Sequence, residues 1–221
     1  MASYYLRLFR DYLGAGGSTE TQLPPAIRAI YVKSGMLRIH SNGIAASVSQ
    51  NSAFYSSEEI EIFASPEDAE LLRYELVSHA APHSLLSSQN TSTSPLYETT
   101  LELEPGDGYL LRCDRVDIPP GGIAYTHTHQ GPGIRCLLEG GFTVETQSHK
   151  MKISPGEPWF ETGSEPVLAY APPDKIGCFS RVMILPRSLR GKSSISYINP
   201  GDAAKPKLQR YTIFLDELIS I

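Results

Sequence analysis

The stretch THTHQGPGIR, Thr126 to Arg135, has an earlier counterpart in TETQLPPAIR, Thr19 to Arg28. Laid over each other without a gap, the two agree at Thr, Thr, Pro, Ile and Arg. Where the later copy has His127 and His129, the earlier has Glu20 and Gln22. The correspondence continues on both sides of Gly35 and Gly140, with IYVKSGMLRI (Ile30 to Ile39) over CLLEGGFTV (Cys136 to Val144). Further on, FYSSEEIEIFAS (Phe54 to Ser65) lies over WFETGSEPVLAY (Trp159 to Tyr170), and SPEDAELLRYELV over APPDKIGCFSRVMIL. Anchors that recur in one order at an offset of about 105 residues describe one domain present twice.

Within each copy the pattern is that of strands. MLRIH, EIEIF, TLELE and FTVET alternate every second residue, and Pro-Gly pairs punctuate them. Many short strands at close spacing indicate a sandwich or a barrel. Residues 66–77 and the terminal YTIFLDELISI leave a helix open as an alternative. SSQNTSTSP, Ser87 to Pro95, is almost all Ser and Thr and reads as a linker or exposed loop. An edge such as Tyr4 to Phe9 is expected to be paired or covered.

The bulk properties narrow the function. The chain has 221 residues, 41% of them hydrophobic, enough for a sizeable core. Its net charge is −5 with both signs scattered, so no basic stripe is available for phosphates and nucleic-acid binding is not expected. Arg7, Arg10 and Asp11 interrupt the apolar run that a signal peptide needs, and nothing approaches a membrane span in length. The three isolated cysteines, Cys113, Cys136 and Cys178, fit a reducing compartment, so the expected address is the cytoplasm. Gly191-Lys192-Ser193 lacks the preceding glycine of a phosphate-binding loop and reads as a solvated loop.

On an extended strand His127 and His129 point the same way, and strict alternation puts Tyr125 on their face. Two imidazoles so placed can bite one metal ion. The setting of this H-x-H, after Pro-Pro-Gly-Gly and before Leu-Glu-Gly, resembles the cupin superfamily. The resemblance rests on GGIAYTHTHQGPGIRCLLEGG (Gly121 to Gly141) for a first motif and SPGEPWFETGSEPVLAYAPPD (Ser154 to Asp174) for a second. It implies a small antiparallel β-barrel, a jelly roll, with a metal site at its wide mouth. With the repeat, the chain looks like a bicupin: all-β, two tandem cupin-type antiparallel barrels. Residues 1–86 would be an N-terminal barrel without metal ligands, 87–96 the Ser/Thr-rich linker, and 97–221 a C-terminal barrel with the candidate site and a tail.

The motif is incomplete. The position where the family's glutamate ligand is usual is Gly133, and the last histidine falls at about Pro166. Glu161, on Trp159-Phe160-Glu161, is the replacement ligand, with Ser56 as its expected counterpart in the first copy. Two histidines, one carboxylate and open positions suit iron(II) first, with manganese, nickel or zinc as alternatives. Arg135 recurs as Arg28, so it reads either as scaffold pairing with a carboxylate between strands or as a clamp on a substrate carboxylate. Tyr125 could give a proton or hydrogen bond to a substrate. Trp159, the only tryptophan, is a pocket wall or a packing anchor. Cys136 points away from Arg135 into core, and His149 sits solvated in a hairpin.

Two functions follow as expectations. One is a metal-dependent cupin enzyme acting on a small organic molecule, dioxygenase-like before isomerase or lyase. The other is a non-catalytic small-molecule-binding bicupin with weak or no metal. In either case the first barrel would serve packing or a homodimer.

Overall fold

The computed structural model describes residues 1–19, 22–86, 88–106 and 108–221, so Glu20 and Ser87 lie outside the described residues. The chain divides into two compact units, 1–106 and 107–221. Both are antiparallel β-structures of two sheets each, as the repeat predicts.

The first unit contains β1 (Ala2–Leu13), β2 (Ile27–Ser34), β3 (Met36–Ser41), β4 (Ile44–Ser49), β5 (Ala53–Ser56), β6 (Glu61–Ala64), β7 (Ala69–Ser78) and β8 (Thr91–Leu103). They form a five-stranded sheet, β5-β2-β7-β1-β8, and a three-stranded sheet, β4-β3-β6. Alternation along β3 puts Leu37 and Ile39 into a core with Leu13, Ile30, Val32, Ile60 and Ile62, while Met36 and Arg38 face water. The edge at Tyr4 to Phe9 is paired on both sides, by β7 and β8.

The second unit contains β9 (Tyr109–Ile118), β10 (Ile123–His129), β11 (Gly133–Gly140), β12 (Phe142–Glu145), β13 (Lys150–Ile153), β14 (Pro158–Glu161), β15 (Val167–Tyr170), β16 (Gly177–Pro186), β17 (Ile195–Tyr197) and β18 (Arg210–Ile219). A four-residue helix, α1 (Pro200–Ala203), joins the last two. The sheets run β14-β11-β16-β9-β18 and β13-β12-β15-β10-β17. Phe142, Trp159, Phe179, Val116, Leu137 and Val144 fill the core.

The strand orders β5-β2-β7-β1 and β14-β11-β16-β9 are the same order built twice. The matched turn glycines agree as well. Gly35 and Gly140 have φ of 76° and 82°, and a Cβ would lie 2.2 Å from the Asp68 carbonyl or 1.9 Å from the Ile176 carbonyl. Only glycine tolerates both the conformation and the approach.

Three expectations change. The helix left open in these two places does not form: Ala69–Ser78 and Arg210–Ile219 are strands, β7 and β18, because each pairs along its length with a neighbour that local propensity does not see. The Ser/Thr stretch is no linker: from Thr91 onward it is β8, matched to β1 from Leu13↔Thr91 to Ala2↔Leu103. Its alternating Thr and Ser suit a half-exposed edge strand, and Pro95 is tolerated there beside a register shift. The units meet in sequence near residue 106, ten residues beyond the expected linker end. Finally, among the described residues the first unit shows no strand equivalent to β10. Its segment carries isolated bridges at Ser18↔Phe63 and Leu23↔Ile60, and Pro24 and Pro25 follow with no N–H to extend a ladder. Among the described residues no helix is long and apolar enough to cross a membrane.

Candidate functional site

β10 positions the two histidines. It is flanked by β15 and β17, with His127 opposite Val167 on one side and Tyr197 on the other. Between Ala124 and His127 the pairing with β15 shifts register. Such a bulge places an extra residue on one strand and breaks the alternation of faces. Ala124, His127 and His129 therefore face inward together, and Tyr125 does not. This corrects the expectation for Tyr125: its ring lies under Lys205, 4.5 Å from the ammonium, and its contribution to the site is its main-chain carbonyl.

That carbonyl fixes a tautomer. It lies 2.7 Å from His127 Nδ1 and can only accept, so Nδ1 carries the proton and Nε2 a lone pair. His129 Nδ1 lies 3.3 Å from the Ser194 hydroxyl. The rings are edge to face with centroids 4.9 Å apart, and both residues are buried. Burial pushes the His127 imidazolium below its ordinary range. Burial pushes His129 well below it, helped by the guanidinium groups of Arg181 and Arg135. Both rings are neutral at pH 7.

The other half of the site comes from the opposite sheet. β11 and β14 pair with Gly133 opposite Glu161 and Arg135 opposite Trp159. Arg135 Nη2 is 2.7 Å from Glu161 Oε2, and its Nη1 donates to the Gly133 carbonyl at 2.6 Å. Trp159 Nε1 donates to the other oxygen, Oε1, at 2.9 Å. Glu161 Oε2 stands 3.8 Å from His129 Nε2. Across β11, β16 places Arg181 opposite Arg135. Arg181 donates twice to Asp114, at 2.8 and 2.7 Å, and its Nη1 lies 3.5 Å from His129 Nε2.

Two cavities meet at Arg181 and Tyr211. A small one of about 20 Å³ is lined by His127, His129, Arg135, Glu161, Arg181 and Tyr211, room for about one water. A larger one of about 460 Å³ is walled by Arg112, Asp114, Arg181, Lys192, Ser194, Tyr197, Lys207, Gln209, Tyr211 and Ile213.

The expected residues His127, His129, Glu161 and Arg135 thus share one cavity. Trp159 does not line it. Packed between Phe142 and Phe179, with centroids 5.8 and 5.1 Å away, it is the packing anchor and orients Glu161. The pairing of Arg135 with a carboxylate between strands matches the scaffold reading, and Arg28 does the same with Glu75 at 2.9 Å. The counterpart of Glu161 differs from expectation. Arg28 stands opposite Ser56, as Arg135 stands opposite Trp159, so Ser56 answers to Trp159 and the position answering to Glu161 is the exposed Glu58.

The sequence reading missed Arg181, Asp114, Ser194 and Tyr211. Gly191-Lys192-Ser193 is the exposed loop that the sequence suggests, and it also borders the large cavity. The signals available were weak: Arg181 is a lone charge within FSRVMIL, a run buried throughout β16.

The metal expectation meets an electrostatic difficulty. Among the described residues no three His, Cys, Asp or Glu side chains are grouped so as to hold a metal ion. Both Glu161 oxygens are engaged, and a guanidinium faces the His129 lone pair. Two guanidinium groups and two carboxylates balance, with neutral imidazoles between them. A dication added there would bring two buried charges with nothing to offset them. Nor can the missing family ligand return at Gly133, where a Cβ would lie 2.4 Å from the Val182 carbonyl. As arranged, these residues do not fit a divalent ion.

No family model and no curated protein matches this sequence. Solved structures do match in fold. AerE from Microcystis aeruginosa superposes with a TM-score of 0.59 at 13% identity, over 80% of this chain and 87% of that one. Oxalate decarboxylase from Bacillus subtilis at pH 4.6 gives 0.63 at 14% identity, over 91% and 72%. A putative glyoxylate-induced protein from Pseudomonas aeruginosa gives 0.55 at 12% identity, over 80% and 75%. The fold is therefore that of the cupin-type bicupins, two jelly rolls in one chain. One further structure of the Bacillus enzyme concerns its Mn(II) centres.

Proposed function

We propose that the C-terminal barrel binds a small organic molecule in its 460 Å³ cavity, and that its histidine centre works through hydrogen bonds without needing a metal. The observation that carries this reading is Arg181. Its guanidinium lines both cavities, is held rigidly by Asp114, and faces the lone pair on which a cation would sit. The cavity is of the size that encloses small ligands. Across the shared Arg181 and Tyr211, the small cavity beside it offers the neutral imidazoles of His127 and His129, and Ser194 and Tyr211 add hydroxyl-bearing side chains to the large one. Such groups orient a ligand and can shuttle a proton.

A second reading, a metal-dependent enzyme, draws support from the tautomer of His127. Its Nδ1 is tied to a carbonyl and its Nε2 left as lone pair, the arrangement usual for metal-ligating histidines. His127, His129 and Glu161 would hold the ion after Arg135 released Glu161. Iron(II) or manganese(II) would then supply Lewis-acid or redox chemistry.

Metal analysis of untagged protein separates the two. The proposed reading expects well under one transition-metal ion per chain, before and after incubation with iron(II) or manganese(II). About one ion per chain, lost in the double variant His127→Ala/His129→Ala, would sink it in favour of the enzyme.

A further inference from the structure

The large cavity carries a charge that the rest of the chain does not. The chain as a whole is at −5, yet among the described residues Arg112, Arg181, Lys192 and Lys207 line this cavity against a single acid, Asp114. Arg112 is neutralised from outside the lining by Asp216, at 2.8 Å. Lys207 is different. Its ammonium is held by the main-chain carbonyls of Asp202, Ala203 and Lys205 and lies 4.5 Å from the Tyr197 ring, so backbone dipoles and a ring face fix it without cancelling its charge. Burial raises the phenols of Tyr197 and Tyr211, so neither supplies a negative charge near neutrality.

Arg181 has donors to spare. A guanidinium has five N–H groups; Asp114 accepts two and His129 faces a third, which leaves two for a ligand. Two N–H groups on one planar fork are what a carboxylate takes in bidentate fashion. Tyr211 and Tyr197 stand beside the cations, 5.7 Å from Arg181 and 4.5 Å from Lys207, and with Ile195, Ala203 and Ile213 they give the cavity apolar and aromatic wall.

Building on the small-molecule reading above, we infer that the ligand is an organic carboxylate with an apolar or aromatic body. Its acid group meets Arg181, and its body lies along Tyr197, Tyr211 and Ile213. The carboxylate would supply the charge that the lining lacks. It would come within reach of the Ser194 and Tyr211 hydroxyls, next to the imidazole centre.

Three probes with one body and different charge test this: 3-phenylpropanoate, 3-phenylpropanamide and 3-phenylpropan-1-amine, each titrated calorimetrically against the full chain. The acid should bind at least tenfold more tightly than the amide, and the amine should not bind. In the double variant Arg181→Met/Asp114→Asn, which removes the ion pair as a unit, the preference of acid over amide should fall to within about twofold. Ile213→Trp, at a half-exposed wall position where extra bulk does not disturb the core, should weaken the acid at least tenfold while leaving the thermal midpoint near that of the parent. Equal binding of acid and amide overturns the carboxylate assignment while leaving a small-molecule cavity. Undiminished acid binding in Ile213→Trp places the acid elsewhere and overturns the inference too. Binding of none of the three overturns the inference, and if a wider panel of neutral molecules also fails, the small-molecule reading falls with it.

Discussion

The two barrels solve one electrostatic problem differently. In each, an arginine of the second long strand, Arg28 or Arg135, is buried and needs a carboxylate. In the first barrel the residue opposite Arg28 on β7 is Glu75, which pairs it directly. Arg73 then joins Glu75 at 2.6 Å to Asp11 at 2.6 Å, a linear chain of four charges, all at most 1% exposed. In the second barrel the residue opposite Arg135 on β16 is Arg181. With an arginine there, the neutralising carboxylates come from flanking strands, Glu161 on β14 and Asp114 on β9. The polar centre is thereby spread apart, and histidines and cavities occupy the space. A reversal of charge at one register position accompanies the change from a sealed ion chain to a polar centre bordered by cavities.

Breaking this comparison begins with the sealed side. Arg73→Met leaves Asp11 and Glu75 buried with too little positive charge and should cost about 3–5 kcal/mol, read by urea unfolding. Arg181→Met should cost less, about 1–3 kcal/mol, because the cavities let water reach Asp114. Equal losses would remove the distinction between a dry and a wet centre. Gly133→Glu comes next. The new Cβ collides with a β16 carbonyl, so a loss of about 1–3 kcal/mol is expected and no gain of metal. Bound metal in that variant would reopen the metal reading.

Glu161→Gln should destabilise the second unit by about 1–2 kcal/mol, since Arg135 keeps a hydrogen bond and loses its counter-charge. The same change should shift the emission of Trp159, the sole tryptophan, which donates to that side chain. Acid should expose the histidines. Their folded pKa values are depressed, so below the unfolded value of about 6.5 the unfolded chain binds more protons and stability falls. Unfolding midpoints measured at pH 7.5 and 5.5 should therefore differ, and the difference should shrink in His127→Gln/His129→Gln. A difference unchanged in that variant would assign the pH dependence to other groups. The smallest effect belongs to Gln22→His. Gln22 is exposed where His129 is buried, so restoring the histidine alone should change stability by less than about 0.5 kcal/mol.

The fold was legible because the repeat and strand alternation are local signals, doubled by duplication. Gly35 with Gly140, and Arg28 with Arg135, could be matched by eye and do equivalent jobs in both barrels. That His127 and His129 face one way followed from alternation on β10, whereas Glu161 was placed only by the resemblance to the family's layout. What failed depended on pairing. The shift between Ala124 and His127 turned Tyr125 away, and nothing in AYTHTH announces a bulge. Register, invisible in a linear overlay, moved Ser56 onto Trp159. β8 looked like a linker because edge strands can be polar on one face, and its partner β1 lies some ninety residues earlier. Arg181 and the tail that lines the cavity act through contacts remote in sequence.

That tail has a consequence for biosynthesis. The first barrel has all its strands once Leu103 has been made, whereas the cavity of the second takes walls from residues as late as Ile213. On a ribosome that releases the chain from its amino end, the sealed barrel can fold long before any ligand could be enclosed. On the proposed reading, no ligand can be held until Ile213 has emerged, about 110 residues after the last strand of the first barrel.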